Sequence, residues 1–190
     1  MKLTIFCGAS TGSNPIYSQK TRELALWMAQ NKHDLVYGGG KIGLMGVMAD
    51  TLIEKGGYTT GVMPTFLRDR EIAHVHLSEL IIVEDMPKRK AKMMSLGEAF
   101  IALPGGPGTL EEISQVISWS RIGQNDKPCI LFNINGYFDQ LRKMFDHMVT
   151  EGFLSQADRD NVLFSDNISE IEAFISNYQA PHVRKYQSLK

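Results

Sequence analysis

Short apolar runs alternate with longer stretches of helical period almost from one end of the chain to the other. The runs at 2–6, 34–37, 59–63, 80–83, 100–103 and 129–132 are short and continuously apolar, which reads as strands covered on both faces. The stretches between them predict helices over 16–31, 44–55, 87–96, 110–122 and 137–150, with a last one at 168–178. Gly56-Gly57 and Gly152 stand where the second and fifth of these helices should stop. Six strands joined by helical crossovers predict an α/β fold, a Rossmann-like doubly wound parallel sheet flanked by helices. One nucleotide-binding unit is expected over 1–180, and the polar segment 181–190 is expected to fray. Sheets of this kind take ligands at the carboxyl ends of their strands, near the point where strand order reverses.

Three glycine- or hydroxyl-rich loops should meet on that rim. The first runs from Cys7 through Gly8, Ser10 and Gly12 to Pro15, and the second from Gly38 through Gly39, Gly40, Met45 and Gly46. The third, Pro104-Gly-Gly-Pro-Gly-Thr-Leu-Glu-Glu112, joins an apolar run directly to a helical pattern. Gly105, Gly106 and Gly108 can take positive φ and let backbone approach a ligand. Thr109 is a good N-cap, and the unpaired amides of a helix N-terminus attract anions. Glu111 and Glu112 would then supply a carboxylate beside a bound phosphate, which points to chemistry on a phosphorylated small molecule. Thr109-x-x-Glu112 is equally a capping box, in which the glutamate serves only its own helix.

Familiar nucleotide motifs fail in detail. Gly38-x-Gly40-x-x-Gly43 lacks the acid expected after the next strand, which ends Val62-Met63-Pro64, and this argues against a redox dinucleotide. Gly40-Lys41 has Leu35 in place of the first P-loop glycine and Ile42 in place of the magnesium-binding hydroxyl, which excludes a Walker-type NTPase. The loop then serves close approach to a monophosphate or ribose, or, for Gly43 and Gly46, tight strand-to-helix packing. Pro87 suits a first helical position, which puts Arg89 and Lys90 in the first turns, against the helix dipole. Arg89 can bind a carboxylate or phosphate in two places at once, whereas Lys88 and Lys92 read as a solvated face. Glu71 is either a ribose acceptor or half of a surface ion pair. His74-x-His76 lacks a third ligand and reads as an exposed loop, with no metal. Trp27, Trp119 and most methionines read as core.

Composition narrows the partners. A net charge of −1 argues against a nucleic-acid protein. Cys7 and Cys129, far apart in apolar runs, read as buried thiols of a reduced compartment. No run approaches a membrane span, and the start lacks the pattern of a signal peptide, so a cytoplasmic location is expected.

The joint occurrence of Met86-Pro-Lys-Arg89-Lys90 and Pro104 through Glu112 resembles the Lonely Guy family, the cytokinin riboside 5′-monophosphate phosphoribohydrolases. The likeness extends to Cys-Gly-Ala-Ser with Pro15-x-Tyr17, to Tyr37-Gly-Gly-Gly with Gly43-Leu-Met-Gly46, to Glu71 and to Asp126-Lys-Pro128. It implies hydrolysis of the N-glycosidic bond of an adenine-type nucleoside 5′-monophosphate, without metal or organic cofactor, by a homodimer or larger homo-oligomer. By the same resemblance Arg89 and Glu112 would be catalytic. Glu71, Arg89, Lys90, Ser118 and the run Gly105, Gly106, Pro107, Gly108, Thr109, Leu110, Glu111 and Glu112 would contact substrate, with Gly8, Ser10, Gly39, Gly40 and Met45 completing a phosphate or ribose rim. Ser118 stands where many members carry threonine, and Pro107 where many carry tyrosine. Ionised Glu112 would stabilise an oxocarbenium-like sugar, its pKa held low by the helix N-terminus. The alternatives are an AMP nucleosidase without a hormone role and a non-catalytic nucleotide- or cofactor-binding protein on the same fold.

Overall fold

The computed structural model describes residues 1–68 and 73–180. Its centre is one parallel sheet of seven strands: β1 (Lys2–Phe6), β2 (Asp34–Tyr37), β3 (Thr59–Pro64), β4 (Glu79–Val83), β5 (Ala99–Ala102), β6 (Cys129–Phe132) and β7 (Val162–Ser165). Their spatial order is β4-β3-β2-β1-β5-β6-β7, so the order reverses between β1 and β5. This is the doubly wound α/β sheet that the alternating pattern predicts. The seventh strand is the one the pattern misses. It has only four residues at the sheet edge, two of them half-buried, so no long apolar run marks it.

Alternation along β1 shows how the sheet serves two cores. Leu3 and Ile5 join one apolar cluster, which also holds Leu24 and Met28 of α1 (Ile16–Gln30) and Leu44 and Met48 of α2 (Gly43–Glu54). Phe6 points the other way and stacks on Phe100 at 6.2 Å. That second cluster takes in Met93 of α4 (Met86–Leu96), Ile113 and Val116 of α5 (Pro107–Arg121) and Phe145 of α6 (Asp139–Thr150). Thr4, fully buried on that face, donates its hydroxyl to the Met93 carbonyl at 3.0 Å. Short helices α3 (Thr65–Arg68) and α7 (Gln156–Asp160) and the last helix α8 (Ile168–Asn177) complete the set. Among the described residues no helix is long and apolar enough to cross a membrane.

Helix starts differ from the sequence reading in two places that matter. Asp85 caps α4, accepting the Lys88 amide at 2.8 Å, so Pro87 is the second helical residue rather than the first. The start of α5 lies three residues earlier than expected. Gly106 is its N-cap, with no side-chain cap, and Pro107 its first residue. Thr109 is therefore the third helical residue, not the cap, because proline with its fixed φ already opens the helix. Gly105, Gly106 and Gly108 are not among the positive-φ glycines, so their value is the missing side chain rather than a left-handed turn.

Gly43 needs both properties of glycine. Its φ is +64°, and a Cβ there would collide with the backbone of Ala9 and Ser10. Gly56, at φ +74°, faces open space. Gly56→Ala should therefore lose about 1 kcal/mol, the cost of a left-handed alanine, and Gly43→Ala at least about twice that. Thermal unfolding of the two variants checks this, with Tm falling by roughly 2–4 °C per kcal/mol in a chain of this size.

Candidate active site

Where strand order reverses, the loops after β1 and β5 diverge to opposite faces and leave a crevice. Its floor is backbone. The Gly8 amide donates to the Pro104 carbonyl at 3.1 Å, and a Cβ on Gly105 would lie 2.9 Å from the Gly8 nitrogen. Gly105 must also clear the Thr109 side chain. The Tyr137 hydroxyl fixes the loop from outside by donating to the Gly105 carbonyl at 2.5 Å. A cavity of about 240 Å³ opens above this floor, beside the first turn of α5. The amides of Gly108 and Thr109, second and third in the helix, have no intrahelical acceptor by geometry and lie at its edge. Pro107 offers none.

A charged pair closes the inner end. Helix α5 buries Thr109, Glu112, Ile113, Val116, Ile117 and Ser120, an apolar stripe in which Glu112 occupies a core position. Its carboxylate lies 3.7 Å from Nη1 of Arg89, too far for a good hydrogen bond and close enough for strong charge coupling. Both side chains are about nine-tenths buried. Arg89 Nε donates to the Val62 carbonyl in the second half of β3, 3.0 Å away. Room for the guanidinium comes from Gly38, where any Cβ would overlap Nη2. The cation opposes the dipole of α4 because it serves these two acceptors rather than its own helix.

Burial pushes the Glu112 carboxyl above the ordinary glutamate range, Arg89 pulls it back in part, and Glu111 adds to the rise. This reverses the expectation that the helix dipole would hold it low. With α5 beginning at Pro107, Glu112 is in the second turn, beyond the reach of the terminal amides, and desolvation wins. The capping-box reading fails for the same reason. Cys7 lines the cavity as well, its thiol pushed far up by burial and by Glu112, so it presents a neutral S–H.

Of the residues singled out in the sequence, Gly8, Met45, Arg89, Gly106, Gly108, Thr109, Glu111 and Glu112 line this cavity. Lys90 pairs with Glu111 at its edge. Ser10 and Gly105 line a second, adjoining hollow, and Pro107 and Leu110 a third. Ser118 does not join them. It is exposed on α5, seven residues past Glu111 and roughly 10 Å along the axis. Gly39 and Gly40 turn away too: the Gly39 carbonyl accepts the His74 amide at 2.8 Å, and Gly40 pairs with Ala73 and holds the Tyr37 hydroxyl. Gly39 packs beside the Gly61 backbone, so the close approach is to protein, not ligand. Glu71 lies outside the described residues. His74 is buried instead of exposed, its ring between Asp50 at 2.9 Å and the His76 amide at 3.1 Å. Among the described residues no cluster of acidic, histidine or cysteine side chains could hold a metal.

The sequence gives no site role to Gly38, Cys7, Met86, Met93 or Tyr137. Cys7 and the two methionines carry no signal, since a cavity wall and a core share the same apolar composition. Gly38 sits in a glycine run whose members look interchangeable until the guanidinium is placed.

A family model described as a possible lysine decarboxylase matches residues 45–174. The chain is 42% identical over 180 residues to a cytokinin riboside 5′-monophosphate phosphoribohydrolase of Rhodococcoides fascians, covering 94% of this chain and 89% of that protein. It is 39% identical to a protein of the same description from Arabidopsis thaliana, over 94% of this chain and 78% of the relative. A molybdenum cofactor carrier protein from Chlamydomonas reinhardtii superposes with a TM-score of 0.69 at 18% identity, covering 93% and 98% of the two chains, a likeness of fold alone.

Two measurements test the buried pair. Gly38→Ala should displace the guanidinium and raise the Glu112 midpoint further, read by ¹³C NMR of the carboxyl carbon. The folded-state pKa of Glu112 is raised, so the stability it contributes is present below the unfolded value of about 4.3 and is lost as pH rises through the folded value. The Tm of the wild type minus that of Glu112→Gln should accordingly fall as pH rises above about 4.

Proposed function

The chain belongs to the cytokinin riboside 5′-monophosphate phosphoribohydrolase family, the Lonely Guy family, and on that premise we propose that it hydrolyses adenine-type nucleoside 5′-monophosphates to free base and ribose 5-phosphate. One observation carries the reading. The cavity sets a buried carboxylate, partly neutralised by a buried guanidinium, roughly 6 Å along α5 from amides suited to an anion. A phosphate on Gly108 and Thr109 would aim the sugar at Glu112, so that binding energy far from the reacting bond orients it.

In this reading a water oxygen adds to C1′ as the bond from C1′ to the base nitrogen breaks. The bonding electrons leave with the base, and the proton lost by the water passes to Glu112 and on to the departing base nitrogen, which restores the carboxylate. Burial suits Glu112 to that task, since a carboxylate held above its usual range is the stronger base. The same negative charge stabilises the oxocarbenium-like sugar. Arg89 stays charged throughout and keeps enough of the Glu112 population ionised. Glu111 pairs with Lys90 and lines the cavity, and in this reading it serves the ribose rather than the reacting bond.

Incubation with AMP and with isopentenyladenosine monophosphate should release adenine and isopentenyladenine. Preference for the prenylated nucleotide assigns a cytokinin-activating role, and preference for AMP assigns a nucleosidase. Binding of both with no base released would sink the hydrolytic reading in favour of a carrier on this fold. Glu112→Gln should lower kcat by at least about 100-fold. The wild-type kcat/KM should fall toward acid pH with a midpoint above the ordinary glutamate value, because the carboxyl must be ionised to act.

A further inference from the structure

The anion cradle is open on the side away from Glu112. Gly8, Ala9 and Gly106 line the catalytic cavity on one side and a second hollow, of about 380 Å³, on the other. A phosphate seated on the cradle with its sugar at Glu112 would turn a free oxygen toward this second space. Anion binding alone does not account for the lining there. Beyond Ser10 and Thr11 the walls are Leu44, Pro104 and two aromatic rings, Tyr17 and Tyr137. The rings meet edge to face, with centroids 5.8 Å apart and planes 82° to each other.

Both rings are held. Tyr137 is pinned by its hydroxyl to the Gly105 carbonyl, yet it stays substantially exposed at the mouth of the hollow. Tyr17 lies against Gly12, where a Cβ would come within 2.8 Å of the ring and where φ is +73°. An aromatic pair fixed at right angles presents one face and one edge to whatever enters, a geometry suited to a planar ring. Core packing accounts for part of Tyr17, but it does not explain an exposed Tyr137 ring facing a cavity continuous with the cradle.

Resting on the proposed nucleotide reading, we infer that this hollow is a second subsite, which takes an aromatic group joined through the phosphate. The ligand class is the dinucleotide: a nucleoside 5′-phosphate whose phosphate is extended by a second base-bearing unit. The first nucleoside occupies the catalytic cavity, the bridging phosphates lie across Gly8 and Gly106, and the second base packs into the corner of the Tyr17–Tyr137 pair, against the face of one ring and the edge of the other. An apolar wall beside a phosphate site favours such an extended ligand over a bare diphosphate, whose charge would face Leu44 and Pro104 undressed.

Calorimetric titration of the full chain carrying Glu112→Gln, so that no ligand turns over, tests the assignment with ADP, ADP-ribose and P¹,P²-di(adenosine-5′) diphosphate. ADP-ribose reaches the hollow with a sugar and the dinucleotide reaches it with a base. The dinucleotide should bind roughly tenfold more tightly than either. Tyr17→Leu should remove most of that advantage and leave AMP affinity within about twofold. A dinucleotide that binds no better than ADP-ribose overturns the proposal without recourse to any Tyr17 variant. So does a Tyr17→Leu protein that loses AMP and dinucleotide affinity equally, which would assign the ring to the nucleotide's own base. Failure to release base from AMP would sink the hydrolytic reading and leave this comparison intact, because it scores binding alone.

Discussion

A guanidinium and a carboxylate, both removed from water and not quite in hydrogen-bond contact, set the terms for the rest of the molecule. Neither charge is tolerable alone in that position, since a buried unpaired ion costs several kcal/mol. Arg89 therefore needs Glu112, the Val62 carbonyl and the side chain that Gly38 lacks. Those partners come from three elements, the loop after β2, strand β3 and the second turn of α5, while Arg89 itself stands at the start of α4. The sheet order brings three strand ends to one rim, and the pair ties the helices beyond them to it. Imperfect contact has a chemical use. A carboxylate locked in a short bidentate bridge would be a weak base, whereas one held at 3.7 Å keeps lone pairs free for a proton.

The division between charge pair and cradle separates two jobs. Amides at the N-terminus of α5 suit a group that carries charge in ground and transition states alike. The Arg89–Glu112 pair faces the place where charge would change. Because the helix begins at Pro107, Glu112 is just far enough from the amides that burial, not the dipole, governs its proton. Had α5 begun at Leu110, as the sequence suggests, the same residue would be a capping acid of lowered pKa and a poor base.

How much of this the sequence shows depends on the kind of signal. The sheet is legible because its strands are covered on both faces and write themselves as unbroken apolar runs; β7, half-covered and four residues long, does not. The glycine box and Arg89 are legible because a positive charge in the first turn and glycines beside a helix start break local rules. Glu112 is legible too, as an acid just past the glycine box, though its burial in the apolar stripe of α5 is not. What the pattern does not carry is who touches whom. Gly39 and Gly40 resemble a ligand loop and pack against protein, while Gly38 beside them shapes the site. Ser118 matches a family position and lies out on the helix surface. Tyr137 reads as the first residue of an ordinary helix, and only the fold shows its hydroxyl bracing the Gly105 carbonyl.

The contact of Gly8 with Gly105 reaches past this one chain. The crevice floor is main chain against main chain, so its contour is written by the course of β1 and β5 and not by any replaceable side group. Descendants of such a protein can exchange methionines, tyrosines or the residue at 107 and so retune which molecule is chosen. They cannot remodel the floor without prising the two central strands apart. Over evolutionary time the shape of this floor should thus outlast the makeup of the walls around it, and new specificities should arise by redecorating those walls.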